Sequence, residues 1–311
     1  MLESAEVLGA CDRIAEFVRR ALEESGRSGI AVAMSGGLDS TVTAALCVRG
    51  VGAERVKGFF LPEREGPAED RTDAELAARW LGVRLDTHDM TKALDALGVY
   101  DFVLSKVPGE FLRAAVVRAA YGLRRLVSRE DPLEGGQRGS RSAVVSRSAA
   151  HFKARHRMRM VFLYFRAERE NLLVAGAANR TEKLTGIYTR FGVDDCADIM
   201  PVAGLYRTEV LRAAEALGVP ERIRGKTPAP GIIPGVRDKY VYLLDLESGV
   251  LDRVLEELVA GGETAAVAGR LGLPQARVER VAAAMRAAQE LRGLPREAGP
   301  HGRNPRPESR P

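Results

Sequence analysis

AVAMSGGLDSTVTAALCVRG, residues 31–50, joins an apolar run to a helical one through two serines, two glycines and an aspartate. The run that opens at Gly29, GIAVAM, has the length and composition of a short buried strand, and helical character sets in from Asp39 to Val48. A strand that passes through small residues into a helix N-terminus presents several unpaired N–H groups at the positive end of the helix dipole. That combination binds phosphate. The hydroxyls of Ser35 and Ser40 add donors, and Gly36 and Gly37 remove the Cβ atoms that a phosphate would strike. Asp39 is misplaced beside phosphates unless Mg²⁺ lies between them. Glycines also occur at strand-to-helix turns for steric reasons alone, so the phosphate reading rests on the whole string SGGLDS.

Outward from this turn, strands and helices alternate. Val7, Ile14, Val18 and Leu22 recur at helical spacing ahead of it, VKGFFLP and VRLDTHDM read as strands, and EDRTDAELAARWLG is an amphipathic helix closed by Gly82. The pattern predicts an α/β fold: a doubly wound parallel sheet with flanking helices. PGEFLRAAVVRAAYGLRRLVSRE looks helical, and a Gly-, Ser- and Arg-rich mobile loop is expected at about 128–150. HFKARHRMRMVFLYFRAERE resumes as a helix, NLLVAGA is a strand, ADIMPV is strand-like and RTEVLRAAEALG is helical. Helices dominate again from about Gly249 to Leu291. One domain is therefore expected over 1–291, followed by a Pro/Arg-rich tail over 292–311 that would order only against a ligand or partner.

Composition narrows the function classes. The 311 residues are 45% apolar, enough for a sizeable core, and 47 Lys and Arg against 42 Asp and Glu give a net charge of +5, which suits anionic small molecules. Three cysteines without a CxxC pair point away from a disulfide framework or zinc site and towards a reducing cytoplasm. Glu3, Glu6, Asp12 and Glu16 interrupt any signal peptide, and no apolar run approaches the ~20 residues of a membrane span, so no membrane partner is expected. GKT at 225–227 imitates the end of a phosphate-binding P-loop by accident, because Pro220 stands where that loop needs glycine. TAAVAGRLGLPQARVERVAAAM has a helix-turn-helix cadence, but Gln275, Arg277 and Arg280 lack aromatic or Asn partners; it reads as a packing element, with no nucleic acid expected. His151 and His156, five apart, do not share a helix face and have no third ligand. Arg159 and Arg166 read as a solvated helix face, and MVFLYF, apolar all round, as core or dimer interface.

SGGLDS resembles the pyrophosphate-binding loop of the ATP pyrophosphatase superfamily, whose members adenylate a substrate and release pyrophosphate. Downstream the resemblance narrows to the NAD synthases. FKARHRM is similar to their KARxRM helix and LLVAGAANRTEKLTGIYTRFG to their strand and loop; ADIMPVAGLYRTEVLRAAEALGVPERI, GKTPAPGIIPG and PHGRNPRP follow in the family's order. The resemblance implies an adenine-nucleotide-hydrolase-like fold with a helical C-terminal part. It also implies a reaction in which MgATP adenylates the carboxylate of nicotinic acid adenine dinucleotide and ammonia displaces AMP.

Carried over by position, the resemblance makes Ser35, Gly36, Gly37, Leu38, Asp39 and Ser40 the ATP pyrophosphate loop and Asp39 and Glu182 the Mg²⁺ ligands. Arg207 replaces a lysine facing ATP phosphates and completes the catalytic set with those two carboxylates. Arg155, Arg190, Asp198 and His301 fall at substrate-binding positions. Ala177 and Ala229 fall at ATP contacts where the family has hydroxyls. Further departures are Arg237, Asp238 and Lys239 in place of an acidic TDE pattern, Gly302 in the tail, and GVDDCAD in place of a glycine-rich run. They touch recognition more than phosphate chemistry, and leave open a diverged ligase that amidates another carboxylate, or a non-catalytic nucleotide-binding paralogue. The implied partners are small molecules, a second copy in a homodimer, and ammonia, free or from a separate amidotransferase, since the chain begins one helix before the loop.

Overall fold

The computed structural model describes residues 4–102, 142–229 and 235–292, with a few isolated positions between 103 and 141. Four strands, β1 (Gly29–Ala33), β2 (Val56–Phe60), β3 (Arg84–Thr87) and β4 (Leu172–Ala175), form a parallel sheet in the order β3-β2-β1-β4. Ile30 pairs with Val56 on one side of β1 and with Leu173 on the other. Ile30, Ala31 and Val32 are wholly buried because both faces of the sheet are covered. Ile30 and Val32 join a core with α1 (Ser4–Ser25), α2 (Leu38–Val51) and α3 (Glu69–Leu81). Ala31 points the other way, into a core shared with α4 (Thr91–Ala96) and α5 (Ala143–Arg169).

Beyond β4 come α6 (Arg180–Thr185), α7 (Arg207–Ala216) and α8 (Glu221–Arg224), then a helical group, α9 (Lys239–Leu244), α10 (Ser248–Val259), α11 (Thr264–Leu271) and α12 (Gln275–Arg292). This group builds a core of its own from Tyr240, Leu244, Leu251, Leu255, Val267, Val278 and Val281. The segment with helix-turn-helix cadence thus spends its apolar face on packing. Among the described residues, no helix is long and apolar enough to cross a membrane.

Two expectations are corrected. Residues 143–150, read as part of a loop, are the first turns of α5. ADIMPV forms no strand: Ile199 makes a single parallel bridge to Ala175, and turns follow. Pro201 has no N–H to continue a ladder, and the N–H of Val174 on β4 donates instead to the Asp198 side chain, 2.8 Å. Most of the helix expected at 108–130, the bulk of the loop and the tail beyond Arg292 lie outside the described residues.

Strand order sets where the site falls. The chain leaves β1 towards β2 and later returns to β4 on the opposite side, so a crevice opens at the carboxyl ends of β1 and β4. The segments that line it follow those two strands, SGG after β1 and AGAAN after β4.

Candidate active site

The two glycines after β1 have different duties. Gly36 has φ +78°, and a Cβ there would lie 2.6 Å from the Asp70 carbonyl oxygen, so its missing side chain lets the turn seat against the start of α3. Gly37, with φ −90°, caps α2 without any side-chain cap. The first-turn amides of α2 therefore lack the side-chain partner that helix ends usually acquire. Around them, Ser35 and Ser40 share a hydroxyl–hydroxyl hydrogen bond of 3.1 Å, and the Ser40 and Thr41 hydroxyls donate to the Gly37 carbonyl. Lys226 ties the turn to α3 from the far side: its ammonium pairs with Asp70 at 3.0 Å and Asp73 at 2.7 Å and donates to the Gly36 carbonyl at 3.3 Å.

Asp39, in the first turn of α2, is held from two sides. Arg207 Nη1 lies 2.7 Å from Asp39 Oδ2, and Asn179 Nδ2 donates to Oδ1 at 3.1 Å. Asn179 also caps α6. Its side chain accepts the Glu182 N–H, and Glu182 Oε2 accepts the Asn179 N–H, both at 3.0 Å, in a reciprocal capping box. The other oxygen of Glu182 is ion-paired with the Lys239 ammonium. Burial pushes the Glu182 carboxyl up, the Lys239 charge opposes that push, and Asp39 adds to it. Arg207 is positioned by the C-terminal helices. Its N–H donates to Thr181 Oγ1 at 2.9 Å, and Thr181 donates to Asp252 of α10, which also accepts the Thr208 N–H and hydroxyl.

These groups open onto a cavity of about 2290 Å³ whose wall includes Ser35, Gly37, Asp39, Glu182, Arg207, Lys226 and Lys239. A cleft for one small ligand is typically ~300–1,000 Å³, so this one has room for two. Uncapped amides and buried cations, with Asp39 and Glu182 beside them, suit a polyphosphate carrying a cation.

The NAD synthase family model matches residues 10–106 and 137–295. The chain belongs to the NAD synthase family. It is 34% identical over 258 residues to the NH(3)-dependent NAD(+) synthetase of Thermotoga neapolitana, covering 83% of this chain and 87% of that one. With the enzyme of the same name from Coprothermobacter proteolyticus it shares 35% over 286 residues, 91% and 95% of the two chains. The NMN synthetase of Francisella tularensis superposes with a TM-score of 0.66 at 20% identity over 94% of this chain and 98% of that one, a likeness of fold.

Within this NAD synthase family chain, the residues expected at the ATP and metal positions converge. Ser35, Gly37, Leu38, Asp39, Ser40, Ala177, Glu182, Arg207 and Ala229 all line the cavity, with Ala177 buried and Ala229 exposed; Gly36 stands just behind the wall. The expected substrate residues do not converge. Arg155 is buried away from the cavity wall, ion-paired with Glu63 at 3.6 Å and with Glu65, and in contact with His151 at 2.9 Å. Its helix turns it into the protein because two buried carboxylates wait there. Arg190 lies just beyond the cavity rim formed by Tyr188 and Thr189, its guanidinium stacked over Phe191. Asp198 serves the sheet edge, accepting from Val174 N–H and Tyr164. His301 lies outside the described residues.

Arg159 and Arg166 also depart from expectation. Arg159 lines the cavity and donates to the Leu61 carbonyl at 2.8 Å, and Arg166 pairs with Asp86 and Glu170. Sequence reasoning missed Asn179, Lys226, Lys239 and Asp252. The N-x-x-E spacing from Asn179 to Glu182 is a readable capping signal, whereas nothing local marks Asp252.

Proposed function

We propose that this chain, with residues 1–291 acting as one domain, forms NAD from nicotinic acid adenine dinucleotide, ATP and ammonia through an acyl adenylate, releasing AMP and pyrophosphate. The observation that carries the reading is the Asp39–Arg207 pair at the uncapped N-terminus of α2, facing a cavity of about 2290 Å³, in a member of the NAD synthase family.

A carboxylate resists attack by ammonia because its leaving group would be oxide. Adenylation replaces that leaving group with AMP. The amides of the α2 first turn and the hydroxyls of Ser35 and Ser40 hold the departing pyrophosphate, and Arg207 neutralises charge that grows on it. With ATP fixed at this end, the acid would occupy the rest of the cavity with its carboxylate in line with the α-phosphorus. Ammonia then attacks the acyl carbon, AMP leaves, and a proton is shed from nitrogen.

Mg²⁺ fits the oxygen donor at the loop. Asp39 would hold it, with phosphate oxygens and water completing its shell, since among the described residues no group of three or more acidic, thiol or imidazole side chains is arranged to hold a metal ion by itself. When bound, the ion would supply neutralisation of phosphate charge.

A homodimer is part of the proposal. Val161 and Phe165 lie one turn apart on α5, 55% and 52% exposed, while Leu163 and Ala167 on the opposite face are buried. Such an apolar stripe on a helix suits a second copy of itself. Ammonia arrives free or from a separate amidotransferase. The three free cysteines, two of them buried, fit a cytoplasmic setting.

The test is turnover with ATP, Mg²⁺, ammonium and a panel of carboxylates, with NAD, AMP and pyrophosphate quantified together. Equal yields of the three from nicotinic acid adenine dinucleotide are expected. Faster pyrophosphate release with a different acid would make the chain a diverged ligase, and none with any acid a nucleotide-binding paralogue.

A further inference from the structure

One stripe of α5 runs along the cavity and then enters the core. Val145, Ala149, Phe152, His156 and Arg159 line the cavity at alternating four- and three-residue steps, and the next residues of the same stripe, Leu163 and Ala167, are buried in the core beneath the sheet. Arg159 therefore forms the floor of the cavity on this side. Its Nε–H donates to the carbonyl of Leu61, the residue after β2, at 2.8 Å, which fixes the guanidinium at the end of the sheet. Among the described residues no acceptor engages its Nη groups and no carboxylate stands within ion-pair distance. Burial is the largest influence on it and pulls its pKa below the ordinary arginine value; Glu63 and Asp194 oppose that pull from farther away, and the Arg155 charge adds to it. An arginine cannot escape by shedding its proton. A desolvated cation so placed is costly to the free fold unless an anion joins it.

Given the reaction proposed above, on which this rests, we propose that Arg159 binds the carboxylate of the acid substrate and so distinguishes the acid from the amide product. The nucleotide phosphates would lie at the N-terminus of α2, which packs on the opposite face of the sheet from α5. Arg159 thus stands across the strand ends from them, on the side left to the second substrate. A guanidinium fork matches the two oxygens of a carboxylate. Beyond His156 the stripe is apolar at Phe152, Ala149 and Val145, which suits a flat ring carrying that carboxylate. Conversion to the amide removes the charge that Arg159 recognises, so the residue that admits the acid lets the product go.

Calorimetric titration with nicotinic acid adenine dinucleotide and with NAD tests it, on the full chain saturated with Mg²⁺ and α,β-methylene ATP so that adenylation is blocked. The wild-type chain should bind the acid about tenfold or more tightly than the amide, the size of one charge-assisted contact. Arg159→Gln should weaken the acid alone and bring the two affinities together. Arg159→Lys keeps the charge without the fork and should show a preference between those of the wild-type chain and Arg159→Gln. Equal affinities in the wild-type chain, an undiminished preference in Arg159→Gln, equal weakening of acid and amide, or weakened binding of the ATP analogue in place of the acid would each overturn the proposal. Should Arg159→Gln fail to fold, the full wild-type preference in Arg159→Lys would overturn it as well. A wild-type chain that binds neither dinucleotide would overturn the proposed reaction itself, and this role of Arg159 with it.

Discussion

At Gly36 a methyl group would lie 2.6 Å from the Asp70 carbonyl oxygen and 3.0 Å from the Ala74 nitrogen, on a backbone with φ +78°. Both neighbours are main-chain atoms of α3 and cannot step aside as a side chain would. Gly36→Ala should therefore lose about 2–4 kcal/mol of stability, from left-handed strain plus overpacking, read from urea unfolding. Gly37→Ala meets only the Ser35 hydroxyl at 3.2 Å and has an ordinary φ. It should fold as the parent does and bind ATP more weakly, because its methyl group lies on the cavity side; equal ATP affinity by calorimetry would remove Gly37 from the phosphate site. Asp39→Asn keeps an oxygen for only one of its two donors, Arg207 Nη1 and Asn179 Nδ2, faces the other with an NH₂ group, and loses the charge. Pyrophosphate release should fall by ~10²-fold or more, with a lower thermal midpoint because Arg207, 7% exposed, loses its counter-ion.

On α5, the element that carries FKARHRM, stability and function separate. Arg155 neutralises Glu63 and Glu65, and Tyr100 donates to Glu63 at 2.7 Å, so this helix is fastened to the loop after β2 through a buried polar cluster. Arg155→Ala should cost about 3–5 kcal/mol, the usual penalty of orphaning a buried charge; unfolding midpoints within error of wild type would return Arg155 to the substrate-contact role. His151 sits in the same cluster, donating from Nδ1 to the Val99 carbonyl at 2.8 Å and accepting from Arg155 at Nε2. That arrangement requires a neutral ring. Burial first, and the Arg155 charge second, hold its pKa below the ordinary 6.5. The unfolded chain therefore takes up a proton on this residue at a higher pH than the folded one does. Stability from this site is complete above the unfolded value and is lost as pH falls from there towards the folded value. Denaturation curves at about pH 7.5 and 5.5 should show a loss that His151→Gln reduces; an identical loss in the variant would assign the pH dependence to other groups.

For the whole molecule, the exposed Val161 and Phe165 on α5 make assembly the property to measure. Wild-type chain at micromolar concentration is expected to scatter light as a dimer, and Phe165→Asp as a folded monomer, since an exposed substitution costs a folded chain little; a wild-type monomer would end the homodimer proposal. The sequence determined the alternation of strands and helices, the parallel sheet and the phosphate loop, because each is encoded over a few neighbouring residues. GIAVAM reads as buried on both faces, and SGGLDS carries its own turn and helix start. Family membership was legible for the same reason, motif by motif in order. What it left undecided were contacts between distant segments. Arg155 looks like a substrate residue within FKARHRM until Glu63 and Glu65, some ninety positions earlier, are folded against it. Arg159 and Arg166 look solvated until Leu61, Asp86 and Glu170 meet them. Lys239 looks like a lost acidic residue until α9 turns it onto Glu182. The physical reason is common to all of them: a buried charge takes its role from the partner that offsets its desolvation, and that partner is chosen by the packing of helices on the sheet rather than by residues nearby in the chain.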